Sequence, residues 1–217
     1  MKIEIWSDFA CPYCYIGKRK LEEALEAFPE LKDITIVFKS FELDPTAGSE
    51  TIMSTKNRLM KKYGKTELEA KQMMDSIVQY ADHVGLKLHY DTAQYTNTFD
   101  AHRIAKYAQS IGKEKELLEK LFYAYFIDNK QLSSFEVLTD LCREVGLDIE
   151  KVKEVLNNND FAINVRMDEE EAQMKGIHSV PFFVIDEKYA VSGAQSAEVF
   201  KKIIKKVLAE NEEKIKS

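Results

Sequence analysis

Apolar positions recur along this chain with two different periods, and their order predicts an architecture. Lys2 to Trp6 and Ile34 to Phe38 are short runs rich in β-branched and aromatic residues, the composition of strands. Between them Leu21, Leu25 and Phe28 recur at helical spacing. A strand, a helix and a strand in this order are expected to make a right-handed crossover with the strands parallel. The loop after the first strand then lies at the carboxyl edge of the sheet, where ligand chemistry gathers.

Beyond Phe41-Glu42-Leu43-Asp44-Pro45 the strand pattern gives way to helical stretches punctuated by Gly64, Gly85, Gly112 and Gly146, which read as helix C-caps. Thr66-x-x-Glu69 and Ser133-x-x-Glu136 have the form of capping boxes, and Asp148 suits a further N-cap. On these helices Phe122, Tyr123, Tyr125 and Phe126, with Met53, Met60, Met73 and Met74, are expected to pack as core. The run Asp168-Glu169-Glu170-Glu171 reads as a solvated helix face close to a helix N-terminus.

Strand character returns at Phe182 to Ile185 and Tyr189 to Ser192, joined by Asp186-Glu187-Lys188, a connection short enough for an antiparallel hairpin. Ser196 then opens a last amphipathic helix carrying Val199, Phe200, Ile203, Ile204 and Val207. This order predicts an α/β protein of thioredoxin-like fold, with a large all-helical insertion between its N-terminal βαβ and C-terminal ββα halves. The expected division is 1–44 with 166–217 for the thioredoxin-like domain and 45–165 for the insertion.

Composition narrows the function classes. At 217 residues with 45% hydrophobic content the chain can fill a core without disulfides. Its formal charge of −6 gives no electrostatic footprint for nucleic acid. The start Met1-Lys2-Ile3-Glu4 has no apolar leader, and no segment reaches membrane-spanning length. A cytoplasmic protein without membrane contact is expected. Three cysteines fit a reducing compartment, where Cys-x-x-Cys is catalytic or metal-binding more often than a staple.

Those chemistries meet in Cys11-Pro12-Tyr13-Cys14, placed where the first strand yields to a helix. At a helix N-terminus Cys11 faces unpaired backbone N–H groups, which favours its thiolate and makes it a nucleophile. Cys14 shares that helical face and can attack a mixed disulfide on Cys11. Pro12 in the first turn costs no hydrogen bond. The other reading of the pair is half of a zinc site, which needs two further ligands. Cys142, in the pattern Leu138-x-x-Leu141-Cys142-x-x-Val145, fits core packing better, and His83, His89 and His178 lack ligand spacing.

Three separated segments carry a family resemblance: Ser7-Asp8-Phe9-Ala10-Cys11-Pro12-Tyr13-Cys14, Asn97-Thr98-Phe99-Asp100-Ala101-His102-Arg103 and Gly176-Ile177-His178-Ser179-Val180-Pro181-Phe182-Phe183-Val184. Over nearly its whole length the chain resembles the DsbA-like branch of the thioredoxin superfamily, and within it the FrnE-type oxidoreductases. Relatives of these include 2-hydroxychromene-2-carboxylate isomerases and kappa-class glutathione transferases, which generally carry serine at the position of Cys11. The resemblance implies a thiol-disulfide oxidoreductase that reduces, forms or isomerises disulfides in protein or small thiol substrates. It needs no bound cofactor or metal, with glutathione or a thioredoxin system as redox co-substrate.

The same resemblance implies a cis Val180-Pro181 bond beside the dithiol, with Pro12, Tyr13, Val180 and Pro181 contacting substrate. It gives Asn97 and His102 an active-site-facing role, although Asn97 or Thr98 could simply cap a helix. The Pro-Tyr dipeptide resembles that of glutaredoxins and implies a potential of roughly −200 to −230 mV, against about −120 mV for DsbA. Related families form dimers, so a homodimer is open. The alternatives are a glutathione-dependent transferase or isomerase acting on a small aromatic substrate, and a redox-independent holdase using the helical insertion.

Overall fold

The structure is a computed structural model that describes residues 1–29, 31 and 34–216. It begins with β1 (Lys2–Ser7), α1 (Pro12–Leu25) and β2 (Thr35–Ser40). Helices α2 (Thr55–Tyr63), α3 (Glu67–Asp82), α4 (Phe99–Ser110), α5 (Glu114–Phe126), α6 (Phe135–Glu144), α7 (Ile149–Asn157) and α8 (Ala162–Met174) follow. The hairpin β3 (Phe182–Ile185) and β4 (Tyr189–Ser192) leads to α9 (Ala197–Lys216).

The strands form one sheet in the order β2-β1-β3-β4. β1 pairs with β2 in parallel, Ile5 opposite Phe38, and with β3 antiparallel, Ile5 opposite Phe183. Because side chains alternate across a strand, β1 feeds two cores. Ile3 and Ile5 join Leu21, Phe183, Phe200 and Val207 on the face covered by α1 and α9. Trp6 turns to the other face and packs with Ala172 of α8 and Ile177. A third core runs without interruption from Phe9, Cys11, Cys14, Tyr15 and Ile16 into the helices of the insertion.

Local rules account for most helix ends. The Thr66 and Glu69 box closes both ways at the start of α3, and Asp148 accepts from Glu150 and Lys151 at the start of α7. Gly64 ends α2 in the left-handed region, where glycine carries no Cβ penalty. The box expected at Ser133 does not form, and a one-way cap replaces it one residue later. Ser134 caps α6 and accepts from Val137 N–H, while the Ser133 hydroxyl is spent on the Ser49 carbonyl. Of the aromatic cluster, Phe122, Tyr125 and Phe126 are buried and Tyr123 faces solvent. Met74 is buried; Met53, Met60 and Met73 are half-buried.

Within the acidic run Glu170 is exposed as expected, but Asp168 is not part of a solvated face. Asp168 lies mid-way along α8, only 6% exposed. Its carboxylate accepts from Ser40 N–H at 2.8 Å and pairs with Lys106 at 2.5 Å and Lys39 at 3.3 Å. The Trp6 indole N–H donates to the Asp168 carbonyl at 3.0 Å. Lys106 also donates to the Phe38 carbonyl of β2 at 2.9 Å, joined there by Gln109 at 3.4 Å. This buried network ties α4 of the insertion, together with α8, to the sheet. Asp168→Ala would strand Lys106 without its carboxylate, and a loss of about 3–5 kcal/mol is expected. Urea unfolding measures it, and a loss under about 1 kcal/mol would contradict a buried pair.

Candidate active site

The dithiol loop is built by a backbone turn at the end of β1. The Asp8 carbonyl accepts from Cys11 N–H at 3.1 Å and the Asp8 carboxylate from Ala10 N–H at 3.2 Å. Cys11 is thereby left extended at the N-cap of α1, and Pro12 is the first helical residue. Cys14 N–H donates back to the Cys11 carbonyl at 3.0 Å. Both cysteines are free and nearly covered, Cys11 at 4% and Cys14 at 3% exposure, whereas Tyr13 is 38% exposed.

The second half of the chain closes over this turn. The Cys11 Sγ lies 3.5 Å from the Val180 carbonyl oxygen, and the Val180–Pro181 peptide bond is cis. Gly17 permits that approach: a Cβ there would lie 3.1 Å from both Pro181 Cγ and Phe183 Cζ. Tyr13 faces Tyr80 with ring centroids 6.3 Å apart, and the Tyr80 hydroxyl donates to the Ala194 carbonyl at 2.7 Å.

The two sulfurs are not equivalent. Burial, followed by the neighbouring Cys11, pushes the Cys14 thiol well above its usual value, against hydrogen bonds from Ser7 and the Asp8 backbone. Cys14 is therefore a protonated thiol beneath Cys11. Burial and the Cys11 charge likewise raise the Tyr13 phenol. Cys142 sits apart in the insertion core, where burial pushes it up to about 12.

Asp8 is the fixed point of the site. Its carboxylate accepts from Leu43 N–H at 2.7 Å and from the Thr98 hydroxyl at 2.8 Å, and His102 Nε2 stands 3.5 Å away. Burial pushes this carboxyl up, but His102, Leu43 and Thr98 outweigh it and hold it below the ordinary value. His102 is buried, lies tilted against the Phe9 ring with centroids 4.8 Å apart, and so meets the dithiol turn at both Phe9 and Asp8. Asn97 is engaged elsewhere: it accepts from Phe99 N–H at 2.8 Å, the capping role left open above, and donates to Glu42 at 3.4 Å. Thr98, the other candidate cap, instead spends its hydroxyl on Asp8.

Residues 2–205 match the family model for the DSBA-like thioredoxin domain. The chain belongs to this family. A probable DsbA oxidoreductase of Streptomyces coelicolor is 38% identical, with a TM-score of 0.92 over 97% of this chain and 91% of that one. The uncharacterised protein YwbO of Bacillus subtilis is 27% identical over 204 residues, 93% of this chain and 94% of its own length. The cytosolic disulfide reductase DsbM of Pseudomonas aeruginosa, solved with glutathione, shares the fold at 12% identity. Its TM-score is 0.65, over 96% of this chain and 100% of that one. A DsbA-like domain with a helical insertion is thus the architecture of this chain.

Among the described residues no group of three or more His, Cys, Asp or Glu side chains is placed to hold a metal ion, and no helix is long and apolar enough to cross a membrane. Sequence reasoning placed Cys11, Cys14, Val180 and Pro181 together, and they do meet. It gave Asp8, Ser7 and Tyr80 no role. A carboxylate directly after a buried strand was the available signal for Asp8, since such a group must find donors.

The raised Cys14 thiol carries a pH consequence. The folded state keeps this proton where the unfolded chain releases it, so its contribution is complete below the unfolded value and is lost as pH rises toward the folded one. Urea unfolding of the reduced protein between about pH 8 and pH 9.5 should show stability falling with pH, and falling less in Cys14→Ser. Equal slopes in the two proteins would contradict the assignment.

Proposed function

We propose that this DsbA-like protein is a thiol-disulfide oxidoreductase of the FrnE type, in which Cys11 is the attacking sulfur and Cys14 the resolving one. The Cys11 thiolate attacks one sulfur of a substrate disulfide, forming a mixed disulfide and expelling the other sulfur as a thiolate. Cys14 then gives up its proton and attacks the Cys11 sulfur. A Cys11–Cys14 disulfide forms, and the remaining substrate sulfur leaves as thiolate. Two electrons have passed to the substrate, and glutathione or a thioredoxin system returns the pair to dithiol. In a cytoplasm this cycle runs as reductase or isomerase, the setting named for the disulfide reductase DsbM.

The observation that carries this reading is the inequality of the sulfurs: Cys11 at the helix N-terminus against the Val180 carbonyl, Cys14 beneath it as a protonated thiol. Pro12 and Tyr13 on one side, with Val180 and Pro181 on the other, frame the place where a substrate meets Cys11. On the expected division, 1–44 with 166–217 against 45–165, whose later boundary falls within α8, the two parts contribute differently. The first part carries the thiols, and the second supplies Thr98 and His102, which hold Asp8 and so position the loop.

Equilibration across glutathione redox buffers, followed by alkylation and mass analysis, should find Cys11 and Cys14 titrating as one two-electron couple while Cys142 stays reduced. The expected potential is about −200 to −230 mV, and a value near −120 mV or an arrest at a Cys11 glutathione adduct would overturn the assignment. Cys14→Ser should accumulate mixed disulfides on Cys11; none trapped would remove the resolving role. His102→Ala should alter the rate of Cys11 alkylation through Asp8, and unchanged alkylation with unchanged substrate affinity would confine His102 to packing.

A further inference from the structure

A cleft of about 550 Å³ opens between the segment after β2 and helix α2. Its wall includes Leu43, whose N–H is held by Asp8, and Tyr95. Asp8, whose backbone carbonyl holds Cys11 N–H, thus joins the cleft wall to the dithiol turn.

Charge distinguishes this cleft from the rest of an acidic molecule. Arg58, Lys61 and Lys62 line it, against the carboxylates Asp44 and Glu50. One oxygen of Asp44 is already taken by the Thr46 backbone and hydroxyl. None of the three cations makes an ion pair among the described residues. By contrast Lys56 and Lys65, in the same stretch but outside this cleft, pair with Glu67 and Glu69. Arg58 lies over the Tyr95 ring, its Cζ 3.2 Å from the centroid. That contact holds the guanidinium in place at the cleft wall, and its forked donors are of the kind that suits a carboxylate.

We propose that this cleft binds carboxylate side chains of an acidic peptide whose disulfide is presented to Cys11, so that Arg58, Lys61 and Lys62 select anionic substrates. The inference rests on the oxidoreductase assignment for turnover, though not for binding. A cleft of this size suits a few residues of peptide. The cations add attraction at a distance, which salt screens.

Two symmetric peptide disulfides that differ only in charge test it: the oxidised dimers of acetyl-Cys-Glu-Glu-amide and acetyl-Cys-Gln-Gln-amide. At low salt the Glu peptide should show a KM lower by about tenfold at similar kcat, a gap that closes as salt rises. Arg58→Gln with Lys61→Gln and Lys62→Gln should abolish the gap and leave the Gln peptide unchanged. Because Arg58 also packs on Tyr95, the exposed pair Lys61→Gln and Lys62→Gln alone should narrow the gap by about threefold. Equal KM values for the two peptides, or a gap that survives the triple variant, would overturn the proposal.

Calorimetric binding of acetyl-Ser-Glu-Glu-amide against its Gln counterpart to the reduced wild-type protein reads the cleft without any redox step. If neither disulfide turns over while the Glu peptide still binds more tightly, the oxidoreductase assignment fails and the anion site stands. Equal binding of the two serine peptides sinks the site whatever the turnover.

Discussion

The site depends on one buried carboxylate having its acceptors filled. Asp8 follows directly on β1 and is almost wholly covered, so an unpartnered charge there would cost several kcal/mol. Its partners come from three places: Ala10 in the dithiol turn, Leu43 in the segment after β2, and Thr98 at the mouth of α4. Satisfying the charge therefore fixes three chain segments against one another. The cysteine turn hangs from the same residue, because the Asp8 carbonyl holds Cys11 N–H. Electrostatic satisfaction and thiol placement are thus one constraint.

The insertion is joined to the thioredoxin-like half by charge as well as by apolar packing. Lys106 and Asp168 meet beneath β2, and on α1 the side chains of Tyr15, Lys18 and Arg19 converge on Glu119 of α5. Burial pushes the Glu119 carboxyl up, but Lys18, Tyr15 and Arg19 bring it down to about 2. Such groups discriminate among packings more sharply than apolar side chains do, since a misplaced partner leaves a charge uncompensated. The core itself crosses the junction, with Tyr15 stacked on Phe122 at 5.0 Å.

Much of this was legible in the sequence because it is governed by local rules. The residues of β3 and β4 alternate between core and surface over a short connection, so both strands and their antiparallel pairing could be read. The Cys-Pro-Tyr-Cys turn announces itself by proline at the first helical position. What escaped was set by tertiary partners. Nothing local distinguishes Ser133 from Ser134 as a cap; the choice follows from Ser133 finding the distant Ser49 carbonyl. Asp168 has the same neighbours in sequence as a solvated glutamate. Only Lys39, Lys106 and Ser40 N–H, contributed by other segments, make it an interior residue. His102 was legible as a candidate but not as a neighbour of Asp8, because that contact spans the insertion boundary.

Lys106 and Gln109 reach the Phe38 carbonyl on a strand that ends the sheet. A terminal strand normally offers its backbone as a template on which another chain can add. Here a long charged side chain from the insertion occupies that backbone acceptor. The insertion that supports the thiol site thus also occupies a backbone acceptor at the sheet's outer margin.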